Sequence, residues 1–169
     1  MEVIRTERLV LRQLHAGDSA FIHELVNDAD WLRYIGDRGV RTPDDARVYI
    51  ESGPVASYAQ NGFGLYCVER IEDGRAIGMC GLIKRDTLDD VDIGFAFLPP
   101  FRSQGFAYEA AAATFEHARR QLGISRVVAI VSPDNEASMR LLEKLGLRME
   151  RELRLGDGND VLLYAPAAN

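Results

Sequence analysis

Six consecutive residues, Arg102-Ser103-Gln104-Gly105-Phe106-Ala107, have the types needed to hold an anion. They follow an apolar stretch, Val91 to Leu98, and a Pro99-Pro100 break, and they open the longest helical pattern in the chain, Tyr108 to Leu122. At a helix start several backbone N–H groups lack intrahelical partners, and the helix dipole adds positive potential there. Gly105 and Ala107 let a ligand approach the backbone closely. Arg102 can add a charged fork to phosphate oxygens. The occupant such a cradle suits is a pyrophosphate. An ordinary helix entry with a glycine turn uses the same residue types, and neither GxxxxGK[ST] nor GxGxxG is present.

Two further groups carry chemistry. In Val91-Asp92-Ile93-Gly94-Phe95-Ala96-Phe97-Leu98, period-two alternation puts Asp92, Gly94 and Ala96 on one strand face, a carboxylate beside two residues small enough to leave a ligand room. Asn135 and Ser138 lie three apart at the start of a second helical pattern, so both can point at one bound group. The same residues also read as a helix cap (Asn135), core (Leu141, Leu142, Leu145) and a C-terminal stop (Gly146).

These residues need elements to hold them. Leu9 to Leu11 reads as a first short strand, and Asp18 as the cap of an amphipathic helix carrying Phe21, Ile22, Leu25 and Val26. A less regular helical stretch surrounds Trp31, Leu32, Tyr34 and Ile35. Thr42-Pro43-Asp44-Asp45 starts another helix, which Gly53-Pro54 should kink or interrupt. Phe63–Glu69, Ala76–Ile83 and Val91–Leu98 form an antiparallel meander through turns at Glu72-Asp73-Gly74-Arg75 and Thr87 to Asp90. Arg126–Val131 follows the long helix, and strand-helix-strand order of this kind implies a parallel crossover. A helix from Asn135 to Leu145 and two strands, Leu147–Leu155 and Val161–Tyr164, complete the chain. The expectation is one α+β domain over residues 1–169. Its mixed central sheet has about seven strands, an antiparallel N-terminal half and one parallel central pair, with helices on both faces.

Composition narrows the partners. The 169 residues carry a net charge of −6, with 47% hydrophobic and 27% charged residues, ordinary for a soluble globular chain. An acidic balance argues against nucleic acid, and no apolar run approaches the ~20 residues that span a membrane. Met1 to Arg5 lacks the apolar core of a signal peptide, so the cytoplasm is the expected compartment. Cys67 and Cys80 sit in apolar strand-like runs and read as reduced, buried thiols. The cysteines and His15, His23 and His117 show no metal-ligand spacing, so no metal is expected.

Arg-x-x-Gly-x-Ala after a strand resembles the coenzyme A loop of the GNAT superfamily, the acyl-CoA-dependent N-acyltransferases, whose signature there is Gln/Arg-x-x-Gly-x-Gly/Ala. Asn135 to Leu147 resembles the second hallmark of that family, Asn-x-x-Ser-x-x-Leu-x-Glu-Lys-x-Gly-Phe. Thr6-Glu7-Arg8-Leu9-Val10-Leu11-Arg12, followed by Asp18, is similar to the RimJ/RimL-type branch, whose enzymes acetylate ribosomal-protein N-termini. The three blocks stand in the family's order and cover most of the chain.

The resemblance implies a GNAT fold and transfer of an acetyl group from acetyl-CoA to a primary amine by direct attack in a ternary complex. The amine could belong to a protein N-terminus, an amino acid, a polyamine or an antibiotic. It implies that the N–H groups of Ser103, Gln104, Gly105, Phe106 and Ala107 hold the pyrophosphate with Arg102, and that backbone near Phe97 and Leu98 holds the pantetheine and thioester. Asn135 would serve cofactor and chemistry. Asp92 would be the general base, at a position where this branch usually has Glu; the shorter side chain favours a water relay. Many relatives carry Tyr seven residues after the motif Asn to protonate the thiolate. Here that residue is Leu142, which leaves Ser138 or an unassisted departure. Glu109 and His117 read as solvated helix positions or packing against the cofactor. Trp31 and Tyr34 lie where the family shapes its acceptor pocket, and a monomer or homodimer fits family habit. A non-catalytic acyl-CoA-binding or partner-binding module with the same fold is the alternative.

Overall fold

The computed structural model describes residues 1–167. Its strands are β1 (Glu2–Arg5), β2 (Leu9–Arg12), β3 (Leu65–Arg70), β4 (Ala76–Ile83), β5 (Val91–Phe97), β6 (Val127–Val131), β7 (Leu147–Arg154) and β8 (Asp160–Pro166). They form one sheet in the order β1-β2-β3-β4-β5-β6-β8-β7, parallel between β5 and β6 and antiparallel elsewhere. The mixed α+β sheet is as expected, but with eight strands rather than about seven. The extra strand is β1, whose single apolar pair, Val3-Ile4, is too short to show alternation. Pairing with β2 decides it, across a bulge between Glu2 and Ile4.

The helices are α1 (Ser19–Val26), α2 (Ala29–Tyr34), α3 (Pro43–Ile50), α4 (Ala56–Asn61), α5 (Phe106–Gln121) and α6 (Glu136–Lys144). α3 starts as its sequence dictates: Thr42 accepts from the Asp45 N–H and Pro43 takes the first turn. Gly53-Pro54 interrupts the regular helix, as expected. Pro54 has no N–H to give a regular helix bond, so Glu51–Val55 widens into a π turn and α4 resumes beyond it. Asp18 is a second correction. Its carboxylate makes no cap bond to α1 and instead forms a bidentate pair with Arg12 at 2.8 and 2.9 Å, while accepting from the His15 N–H.

Register assigns the sheet's two faces. Cys80 of β4 lies opposite Phe95 and touches Thr114 of α5 at 3.5 Å, so α5 covers that face. Met79, Gly81, Ile83, Asp92 and Gly94 occupy the other face, which looks toward α1 to α3. Both cysteines are free and buried. Gly81 is a packing requirement: a Cβ there would lie 2.0 Å from the Gly64 carbonyl oxygen and 2.8 Å from Leu65 Cα. Gly81→Ala is expected to cost about 3 kcal/mol and to lower the melting temperature by about 2–4 °C per kcal/mol. A thermal melt at unchanged temperature would contradict this packing.

The Thr6 block owes its composition to α5. The Glu109 carboxylate accepts from Thr6 Oγ1 (2.5 Å), the Arg8 N–H (2.9 Å) and Arg8 Nε (2.7 Å). Arg8 Nη1 continues to the Gln104 carbonyl at 3.0 Å, and its guanidinium lies 4.3 Å from the Phe106 ring centre. Glu109 is therefore not a solvated helix position. It fastens the first turn of α5 to the β1–β2 turn.

Candidate active site

β5 and β6 pair over only two positions, Val91↔Val127 and Asp92↔Val128. Beyond Asp92 the strands part, β6 takes up β8 as its partner at Ala129, and a cavity of about 950 Å³ opens between them. Gly94, Ala96 and Phe97 line it from β5, and Ala129, Ile130 and Val131 from β6. The carboxylate thus stands at the fork of the sheet.

Asp92 is 1% exposed. Its Oδ1 accepts from Arg85 Nε at 3.0 Å, while Oδ2 is buried without a partner. Burial pushes the carboxyl up to about 6, against the opposing pull of the Arg85 charge. A carboxylate in this state takes and releases a proton close to neutral pH, which suits a general base.

The loop ahead of α5 has the backbone an anion needs. Ser103 (φ 61°) and Gly105 (φ 83°) are both left-handed, and Ser103 is the one non-glycine residue with positive φ among the described residues. Such alternation turns successive N–H groups to one side. Those of Ser103, Gln104 and Gly105 have no protein acceptor among the described residues. Phe106 and Ala107 begin α5, where N–H groups have no intrahelical partner.

Arg102 is placed differently from a free phosphate fork. Its Nη2 and Nη1 donate to Asp28 (2.5 Å) and Asp30 (2.8 Å), and its Nε to the Phe97 carbonyl (2.9 Å). The arginine ties the loop to the start of α2, whose own cap is Asp28. Phe97 and Leu98 are buried, and the Leu98 N–H donates to the Ile77 carbonyl. Asn135 caps α6 by accepting from the Ser138 N–H at 3.3 Å. The Ser138 side chain lines the cavity with no hydrogen bond among the described residues, and Leu142 is core. Trp31 and Tyr34 also line it. Trp31 leaves a buried Nε1 without a partner, and Arg33 stacks on Tyr34 while pairing with Asp134.

The cavity therefore brings together Asp92, the loop, Asn135, Ser138, Trp31 and Tyr34. It also contains residues that sequence reasoning missed: Arg85, Arg38, Tyr49 and Tyr108. Arg85 lies in a turn region and carries no motif. Tyr49 shares the inward face of α3 with Ala46 and Ile50, a spacing that reads simply as core.

A family model described as an acetyltransferase (GNAT) domain matches residues 8–148. The chain belongs to the GNAT acetyltransferase family. The uncharacterized N-acetyltransferase YnaD of Bacillus subtilis is 29% identical over 147 residues, covering 87% of this chain and 83% of that protein. The spermidine N(1)-acetyltransferase of Escherichia coli strain K12 is 24% identical, with coverages of 85% and 74%. The structure of RimL, the ribosomal L7/L12 alpha-N-protein acetyltransferase, in complex with coenzyme A shares the fold with a TM-score of 0.82 at 20% identity. It covers 98% of this chain and 97% of that one. In this GNAT domain the three sequence blocks meet around the cavity and its loop, with the Thr6 block acting from outside on α5.

Proposed function

We propose that this GNAT protein is an acetyl-CoA-dependent N-acetyltransferase that acylates a primary amine while both substrates are bound. The observation that carries this reading is the fork of the sheet, where a buried, half-paired carboxylate stands beside a loop of unpartnered N–H groups. The residues present fit the cofactor. Five N–H groups from Ser103 to Ala107 await an anion, and the positive φ of Gly105 holds them in one orientation. Asn135 borders the opposite wall and Phe97 lines the cavity where a pantetheine arm would run, whereas the Leu98 N–H is spent on the Ile77 carbonyl and its own carbonyl accepts from the Phe101 N–H.

Bound there, acetyl-CoA supplies an acyl group activated as a thioester. Asp92 takes the proton that the acceptor's amine must lose. Because Oδ2 is covered, the proton reaches it through one bridging water. Ser138 holds the one free hydroxyl near the start of α6 and donates toward the departing sulfur, a role that Leu142 cannot fill. Trp31 and Tyr34 wall the acceptor's side and exclude bulk water. Spermidine and the L7/L12 terminus belong to the relatives named for them; here the acceptor is an amine set by this chain's own pocket.

The test is release of free thiol from acetyl-CoA across a panel of amines, alongside calorimetric titration with coenzyme A. Turnover of at least one amine, abolished in Asp92→Asn with coenzyme A binding intact, is the expected result. Tight coenzyme A binding with no turnover of any amine would instead establish a binding module.

A further inference from the structure

We infer that the acceptor carries a carboxylate next to its amine, and that Arg85 and Arg38 hold that carboxylate beside Asp92. This inference rests on the acetyltransferase reading above.

Of the four arginines that line the cavity, two are committed: Arg102 to Asp28 and Asp30, and Arg33 to Asp134. The other two keep donors in hand. Arg85 uses only Nε, on Asp92 Oδ1, and its Nη1 and Nη2 have no partner among the described residues. Arg38 has no ion pair among the described residues. Tyr49, whose hydroxyl burial pushes up against the pull of both guanidiniums, lines the same cavity as the two arginines.

The charge pattern selects among amines. Arg85 largely neutralises Asp92, so the pair offers little attraction to a purely cationic ligand such as a polyamine. An amino acid presents both signs. Its amine lies toward Asp92, reached through the bridging water, and its carboxylate lies on the outer nitrogens of Arg85, a fork that matches carboxylate geometry. Tyr49 adds a hydroxyl on the same side. The other cation on the cavity wall without an ion pair among the described residues, Lys144, is spent on the Tyr108 ring, 4.3 Å from its centre.

The probes are the twenty L-α-amino acids, their carboxamides and spermidine, assayed by thiol release from acetyl-CoA. At least one amino acid is expected to exceed its own carboxamide in kcat/KM by roughly 10- to 100-fold, the worth of a charge-assisted contact. Arg85→Gln and Arg38→Gln should each shrink that ratio through KM for the amino acid, with KM for acetyl-CoA unchanged, and Arg85→Lys should restore part of it. Carboxamides or spermidine turned over as well as the acids, or a ratio unaffected in both Gln variants, would overturn the inference and leave the acetyltransferase reading intact. No turnover of any amine would overturn both. Circular dichroism on each variant separates loss of contact from loss of fold.

Discussion

Asp92→Asn is expected to lower kcat/KM about 10²- to 10⁴-fold, the usual contribution of a general base, while acetyl-CoA binding is retained. Asn has nearly the same shape and keeps an oxygen for Arg85 Nε, so geometry at the fork survives and proton acceptance does not. The pH dependence carries the same assignment. The active form is the carboxylate, so wild-type kcat/KM should fall as pH drops through about 6, where burial has placed this group. The variant should lose that acid limb. Stability runs the other way. A carboxyl whose folded pKa is raised favours the folded state below its unfolded value near 4 and loses that contribution as pH rises through about 6. Asp92→Asn should therefore not lower the melting temperature at pH 7, and a large drop there would point to a structural role. A pH–rate profile of the wild type that is flat from pH 5 to 8 would remove Asp92 from the chemistry.

Gly105→Val is expected to weaken coenzyme A binding by roughly 100-fold, the loss of one or two charge-assisted N–H contacts. The structure supplies the reason. Gly105 sits at φ 83°, ψ 1°, a conformation that a β-branched residue adopts only at a cost of about 1–2 kcal/mol. A Cβ there would meet nothing but the end of the Arg8 side chain, at 3.3 Å. Crowding is thus minor and the backbone angle is what matters. The substituted loop relaxes toward negative φ and turns its N–H groups away from one another, while the helix and sheet behind it stand. Calorimetry on protein with a native thermal melt makes the measurement. Unchanged affinity would show that the cradle is not the cofactor's anchor.

How much was legible depended on whether a feature is local. Thr42-Pro43 at the start of α3, Gly146 after α6 and the Gly156 to Asn159 turn all lie where their chemistry puts them, because caps and turns are satisfied by neighbours in the chain. Pro54 kept to that pattern, since its missing N–H interrupts the regular helix at Glu51–Val55. Asp18 broke it because Arg12, on the neighbouring strand β2, takes its carboxylate away from the helix start. Glu109 was opaque for a related reason: its partners, Thr6 and Arg8, lie about a hundred residues away.

The sequence by itself determined the family blocks, the order of elements and the presence of a glycine at a strand-to-helix junction, since these rest on residue types at short spacing. Tertiary structure decided what those residues face. It parted β5 from β6 immediately after Asp92, committed Arg102 to α2 rather than to open space, set Arg85 on the carboxylate, and put Arg38 and Tyr49 on the wall of the same cavity. The physical reason is range. Backbone angles and caps are set within a few residues, whereas burial, charge pairing and the shape of a cavity belong to segments that only folding brings into contact.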